Sequence, residues 1–307
     1  MPIIDNNDVK VLAFAADTQA PMLVETILLR PNKNRKATDL LFSDILRIHP
    51  SAFFLLGDVV NLGYSDRQWK SVDIHLHKLR HYGVKVHAIL GNHEVMGRAN
   101  KGQVKFQHRF PNHKKTGYCE IVGSLAVILL NSNFKAMTPK EDAQQVKWFE
   151  KTIAKMDQDP SIEYVITCAH HSPYTNSRVV QPSVEVQERF VPSFVESKKS
   201  QLFLSGHCHA FEHYKFHGKD FMVIGGGGGL QQPLRQGIGT LADLALEYKP
   251  MFHYLTVEPM ADHLKVKSYH LRKDFTGFEE GFVLDVKKYE PVLTLTGEQA
   301  LKQVAAK

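Results

Sequence analysis

The chain has 307 residues, 43% hydrophobic and 23% charged, with 38 basic against 32 acidic side chains. That allows one large or two small domains with a substantial core, and the formal charge of +6 suits an anionic substrate without the footprint of specific nucleic-acid binding. Cys119, Cys168 and Cys208 form no CxxC pair or disulfide framework, no apolar run nears the ~18 residues of a membrane span, and MPIIDNNDVK lacks the order of a leader.

A cytoplasmic protein is therefore the default expectation, with a periplasmic or secreted one whose leader has been removed as the alternative. In chain order, apolar runs alternate with amphipathic stretches, the pattern of an α/β fold. VLAFAA predicts a strand ending at Asp17. PNKNRK carries the tight basic cluster Lys33, Arg35 and Lys36, read as a solvated loop or as a contact for a substrate phosphate or an acidic partner. Thr38 to about His49 predicts a helix with Thr38 as N-cap and Leu41, Ile45 and Ile48 on one face. AFFLL is a strand ending at Gly57-Asp58. Ser65 to Tyr82 is a helix closed by Gly83, and VKVHAIL a strand ending at Gly91-Asn92-His93.

Residues 97–115 are expected as a loop that includes His108 and His113. Two short strands follow at Tyr118–Val122 and Leu125–Leu130, turned by Gly123. Thr138-Pro139-Lys140-Glu141 is a helix start, with N-cap, Pro at N1 and Glu at N3, and the helix runs to about Met156. YVITCA is a strand ending at His170-His171. Val184 to about Lys198 is expected to be helical, and QLFLS leads into Gly206-His207-Cys208-His209. FEHYKFH, FMVIG, HYLTV and LKVKSY read as strands. Gly225–Gly229 lacks the spacing of a dinucleotide fingerprint and reads as a glycine loop close to a ligand. Past Lys287 the chain looks peripheral, with an amphipathic helix from Gly297 to Ala306. No interdomain linker stands out, so residues 1–290 are expected to form a single domain and 291–307 a peripheral tail.

The endings AFAADTQ, FFLLGDVVN, HAILGNHE, ITCAHHSP and LFLSGHCHA share one design. Each carries a buried strand through a small residue into a side chain able to bind metal. Ligands collect at the carboxyl ends of strands in open α/β sheets. Adjacent strands would thus bring Asp17, Gln19, Asp58, Asn92, His93, His170, His207 and His209 into one crevice. Oxygen and imidazole donors without thiolates suit a hard or borderline divalent metal, or iron. Residues 207 and 209 face one side of an extended chain and Cys208 the other.

On these motifs the sequence resembles the calcineurin-like metallophosphoesterase superfamily, which includes purple acid phosphatases and class III cyclic-nucleotide phosphodiesterases. The resemblance covers roughly residues 9–270 and includes the hairpin FPNHKKTGYCEIVGSLAVILLNSN after GNHE. It implies a four-layer α-β-β-α sandwich of two mixed sheets flanked by helices, with a dinuclear centre at the strand ends. It also implies a hydrolase of phosphomonoesters or phosphodiesters acting on a small phosphorylated substrate. By the same resemblance Asp17 and His209 bind one ion, Asn92, His170 and His207 bind the other, Asp58 bridges them, and His93 is catalytic.

The family's first motif is usually DxH, and here it is Asp17-Thr18-Gln19. Gln19 either ligates through its carbonyl oxygen, directly or through a bound water, or marks a weakened site and a non-catalytic binding scaffold. An oxygen donor there favours manganese or iron over zinc, which stays compatible. Four further residues are candidates for substrate or supporting contacts: Glu94, to orient His93 or else on the surface; Asn61, where many relatives carry an acid; His171, beside His170 or else in the core; and Arg178, to clamp phosphate or else solvated.

Overall fold

The computed structural model describes residues 11–21 and 33–288. Its strands form two six-stranded mixed sheets. In the first, β1 (Leu12–Ala15), β2 (Ala52–Leu55) and β3 (Lys85–Ala88) run parallel. β10 (His253–Pro259) joins the free side of β1 antiparallel, followed by β11 (His263–Leu271) and β12 (Phe278–Lys287). In the second, β4 (Tyr118–Val122) pairs antiparallel with β5 (Leu125–Leu130). β5, β6 (Tyr164–Ala169), β7 (Ser200–Ser205) and β9 (Lys219–Ile224) are parallel, and β8 (Phe211–Phe216) closes the edge antiparallel to β9.

Strands covered on both faces read as unbroken apolar runs, and alternate residues here fill different layers. Leu12, Phe14, Phe54 and Leu56 meet Val127, Leu129, Ile166 and Leu204 between the sheets. Ala13, Ala15, Phe53 and Leu55 face α1 (Asn34–Ile48) and α2 (Asp66–His81) through Leu41, Phe42, Trp69 and Leu76. Ile128, Leu130 and Phe203 face α5 (Pro139–Gln158) and α6 (Val184–Glu196) through Phe149, Ile153, Phe190 and Phe194. The result is the expected α-β-β-α sandwich. No helix among the described residues is long and apolar enough to cross a membrane.

Several local expectations hold. Thr138 accepts from the Glu141 N–H while Glu141 reaches back to Thr138, with Pro139 in the first turn. Gly83, at φ 84°, follows the end of α2. Others need correction. α1 begins at Asn34 rather than Thr38. Its first turn is held by polar contacts that no apolar period reveals: Asn34 Nδ2 donates to the Gly228 carbonyl at 2.8 Å and Thr38 Oγ1 to the Gly227 carbonyl at 3.2 Å. The basic cluster is therefore the start of a helix, with Lys33 and Lys36 over the Phe275 ring.

The supposed loop 97–115 contains α4 (Ala99–Arg109), preceded by the single turn α3 (Asn92–Val95). Gly102 in ANKGQVKFQHR argues against a helix on propensity. It is needed because a Cβ there would stand 1.9 Å from the Glu94 carbonyl. His108 is therefore helical, while His113 follows α4 and is buried. β12 went unpredicted because FEEGFVLDVK is a half-exposed strand whose pattern is broken by Gly281. Residues 289–307, with the expected terminal helix, lie outside the described residues.

Candidate metal centre

The functional side chains stand on the turns that follow parallel strands. Asp17 follows β1, Asp58 follows β2, Asn92 and His93 begin α3 after β3, His170 follows β6, and His207 and His209 follow β7. Three of them, Asp17 (φ 60°), Asp58 (φ 50°) and His207 (φ 68°), have left-handed backbones. That conformation is uncommon for residues with a Cβ, and such strain clusters at functional sites. The small residues before them permit close approach. A Cβ on Gly91 would lie 2.1 Å from Asp58 Oδ1, and one on Gly206 would lie 2.5 Å from Asp17 Oδ2. Gly91→Ala should displace Asp58 and weaken metal binding by about tenfold or more, as loss of a ligand-positioning contact does. Metal titration of the variant checks this; unchanged affinity would remove the glycine from the design.

The residues expected to converge do so. Ligand atoms of Asp17, Asp58 and His170 all lie within 4.8 Å of one another, in buried positions. His170 Nε2 is 3.3 Å from Asp58 Oδ2 and 3.1 Å from Asn92 Oδ1. His209 Nε2 is 3.4 Å from Asp17 Oδ1. With the Gln19 amide nitrogen donating to the carbonyls of Asp58 and Asp17, at 2.6 and 3.1 Å, its oxygen faces His209 Nε2 at 3.2 Å. This orientation satisfies both amide hydrogens, whereas the opposite one would turn Gln19 Nε2 toward His209. The backbone N–H of His207 donates to Asp17 Oδ2 and that of His93 to Asp58 Oδ1.

Carbonyl groups orient the imidazoles. His170 Nδ1 donates to Leu56 O at 2.9 Å and His209 Nδ1 to Leu230 O at 2.8 Å. Both rings thus turn Nε2 toward the carboxylates, as ligating histidines do. His93 is oriented in the same way, Nδ1 donating to the backbone carbonyl of Asn61 at 2.9 Å. The glycine run packs on this cluster. Gly229 N–H donates to Asp17 O, and a Cβ on Gly229 would strike the His209 ring at 2.4 Å.

The electrostatics follow from burial. Burial works against a charge on His170, but the charge and hydrogen bond of Asp58, with help from Asp17, push it up to about 9. His209 is likewise raised against its burial by Asp17. The Asp58 carboxyl is lowered: burial opposes this, and His170 overcomes it. Burial and then the neighbouring His170 lower His207 to about 3, and His171 falls well below its ordinary value for the same two reasons. A proton is thus favoured on His170, beside the Asp58 carboxylate, and disfavoured on His171 and His207.

The donor set fits metal. Asp17 Oδ1 is buried and accepts no hydrogen bond, with only His209 Nε2 near it at 3.4 Å among the described contacts, an environment that a bound cation would complete. Asp17, Gln19, Asp58, Asn92, His170, His207 and His209 offer oxygen and nitrogen and no thiolate, which suits manganese, iron or zinc. Cys208 is buried on the other side, in the core with Phe203 and Val223.

The remaining candidates divide. His171 belongs to the cluster: its ring lies 4.5 Å from that of His207, and its Nδ1 pairs with Ser132 Oγ at 2.8 Å. Ser132 was missed, although it too follows a strand end, that of β5. Glu94 is neither on the surface nor the group that orients His93. It is fully buried, and its carboxylate accepts the N–H groups of Asp58, Gly91 and Val60 at 2.9, 2.7 and 3.1 Å. Burial and then the Asp58 charge raise its carboxyl to about 7. Asn61 reaches His93 through its backbone, while its side chain donates to Ala20 O. Arg178 is exposed, its N–H on Pro233 O, and among the described residues it makes no hydrogen bond or ion pair with the cluster.

No curated protein matches the sequence. Among solved structures, a purple acid phosphatase from yellow lupin seeds aligns at 15% identity and TM-score 0.69 over 91% of this chain, which spans 54% of the lupin protein's length. GAP50 of Plasmodium, described as the anchor in the inner membrane complex, aligns at 14% identity and TM-score 0.71 over 97% of this chain and 94% of its own. A dimetal phosphatase from Danio rerio aligns at 15% identity and TM-score 0.58 over 92% and 99%. At such identities these likenesses establish the fold. The calcineurin-like phosphoesterase family matches residues 11–211, so the chain belongs to that family.

Proposed function

We propose that this protein is a hydrolase of small phosphoesters built on a dinuclear metal centre. Asp17, Gln19 and His209 would hold one ion, Asn92, His170 and His207 the other, with Asp58 shared and residues 1–290 acting as one domain. The observation that carries the reading is the convergence of Asp17, Asp58 and His170 within 4.8 Å, below the protein surface, together with the unsatisfied Oδ1 of Asp17. Bound, such ions make water a nucleophile near neutral pH and neutralise phosphate charge; manganese and iron suit the oxygen-rich set best.

The chain's own residues supply the rest. His93 Nδ1 is committed to the Asn61 carbonyl, so Nε2 is the atom that can carry a proton to the departing oxygen. Asn92 and His171 line a cavity of about 540 Å³ with His207, Ser132, Phe134 and Lys135. That volume suits a small organic leaving group rather than a folded protein.

The test is metal content together with hydrolysis of aryl phosphate mono- and diesters across manganese, iron, zinc and magnesium. About two ions per chain and chelator-sensitive turnover are expected. Loading should release protons, because a ligating His170 must give up the one it holds below about pH 9. Affinity should thus fall as pH drops, as calorimetry in buffers of different ionisation enthalpy would show. The second reading, a non-catalytic scaffold, is favoured by Gln19 in place of histidine and by the fold shared with the Plasmodium anchor; it predicts no turnover with any metal.

A further inference from the structure

A cavity of about 830 Å³ opens between α1 and α2, lined by Thr18, Asn61, Arg35, Asp39, Arg67 and Lys70 among others. Three of these are cations. Arg35, Arg67 and Lys70 are exposed at its wall, and their side chains make no hydrogen bond or ion pair with any described residue. Asp39, the one acid among them, is bound by His75, whose Nε2 lies 2.8 Å away. Cations that line one concavity and meet no carboxylate raise the local concentration of anions.

A second feature links this cavity to the chemistry. Asn61 borders it, and the Asn61 side chain is buried with Oδ1 lacking any partner. The carbonyl of the same residue orients His93. Thr18 stands between the candidate ligands Asp17 and Gln19, its hydroxyl on Val59 O. The cavity thus borders Thr18, the residue between two candidate ligands, and Asn61, whose carbonyl orients His93.

The geometry points to a subsite for a second phosphate group of the substrate, held by Arg35, Arg67 and Lys70. The preferred substrates are then organic diphosphates or bisphosphates rather than simple monophosphates. This rests on the reading of the centre as a phosphoesterase. The Arg and Lys groups bind and position; none is assigned a part in bond breaking.

The test compares the metal-loaded full chain with its R35Q/R67Q/K70Q variant. One arm measures kcat/KM for ADP and for 4-nitrophenyl phosphate. The other measures the Kd of inorganic pyrophosphate and of orthophosphate by calorimetry, where the ratio cancels what the metals contribute to both. Loss of three partly exposed charge contacts should lower each preference by about tenfold. Ratios equal in the two proteins overturn the subsite, including the case where both substrates suffer alike. Absence of turnover on either substrate, with the pyrophosphate preference still lost in the variant, overturns the hydrolase reading and keeps the anion site.

Discussion

His93→Ala should lower kcat for an aryl phosphate by about 100- to 10,000-fold, the usual worth of a positioned acid, while metal content stays at the wild-type level. The separation follows from where the contacts lie. Asp58 Oδ1 is held by the backbone N–H of His93 at 2.8 Å, and alanine keeps that bond. Among the described residues the imidazole itself hydrogen-bonds only to the Asn61 carbonyl, and its Nε2 stands 3.8 Å from Asp58 Oδ2. Elemental analysis and steady-state kinetics on the same preparation decide the matter. Undiminished turnover would take His93 out of the mechanism, and joint loss of metal and turnover would make it a ligand or a structural residue.

Glu94→Ala should be the most damaging single substitution to stability near the site. It strips the acceptor from three buried backbone donors, those of Asp58, Gly91 and Val60. Each stranded N–H costs ~1 kcal/mol or more, so a loss of at least ~3 kcal/mol is expected from urea unfolding. Glu94→Gln should be milder. A single amide oxygen in place of Oε2 still serves Asp58 and Gly91, leaving only the Val60 N–H. Alanine within ~1 kcal/mol of wild type, or glutamine as harmful as alanine, would refute this account of the loop. Because that loop sets the left-handed turn at Asp58, metal affinity should fall in the same order.

What the sequence made legible was what repeats. β1, β2, β6 and β7 are apolar runs that end in a small residue and a polar side chain, so these strands could be read from the sequence pattern, as could the convergence of Asp17, Asp58, His170 and His209 once their ends are taken to lie together. Contacts made by the main chain left no such trace. Nothing in GNHE says that Glu94 turns inward to three amides, or that His93 is aimed by the carbonyl of Asn61 rather than by a carboxylate. α4 was hidden for a similar reason: Gly102 looks like a breaker, and only the carbonyl of Glu94 against it explains its presence. β12 was hidden because an edge strand facing solvent carries charges and no clean alternation.

The bond from His207 N–H to Asp17 Oδ2 joins residues 190 positions apart, and β1 carries β10 on its open side, with Leu12 opposite Val257. During synthesis Asp17 leaves the ribosome long before His207 and β10, which later hold it and its strand. A nascent chain that stops short of His207 lacks the N–H that holds Asp17 Oδ2 and the imidazole of His209 beside Asp17 Oδ1, and its first sheet lacks the strand that flanks β1. Such long-range pairing is slow to form. Any ion the centre takes would thus be secured only after β7 and its following turn have joined, and a fragment that ends before His207 should bind manganese more weakly than the whole chain in calorimetry.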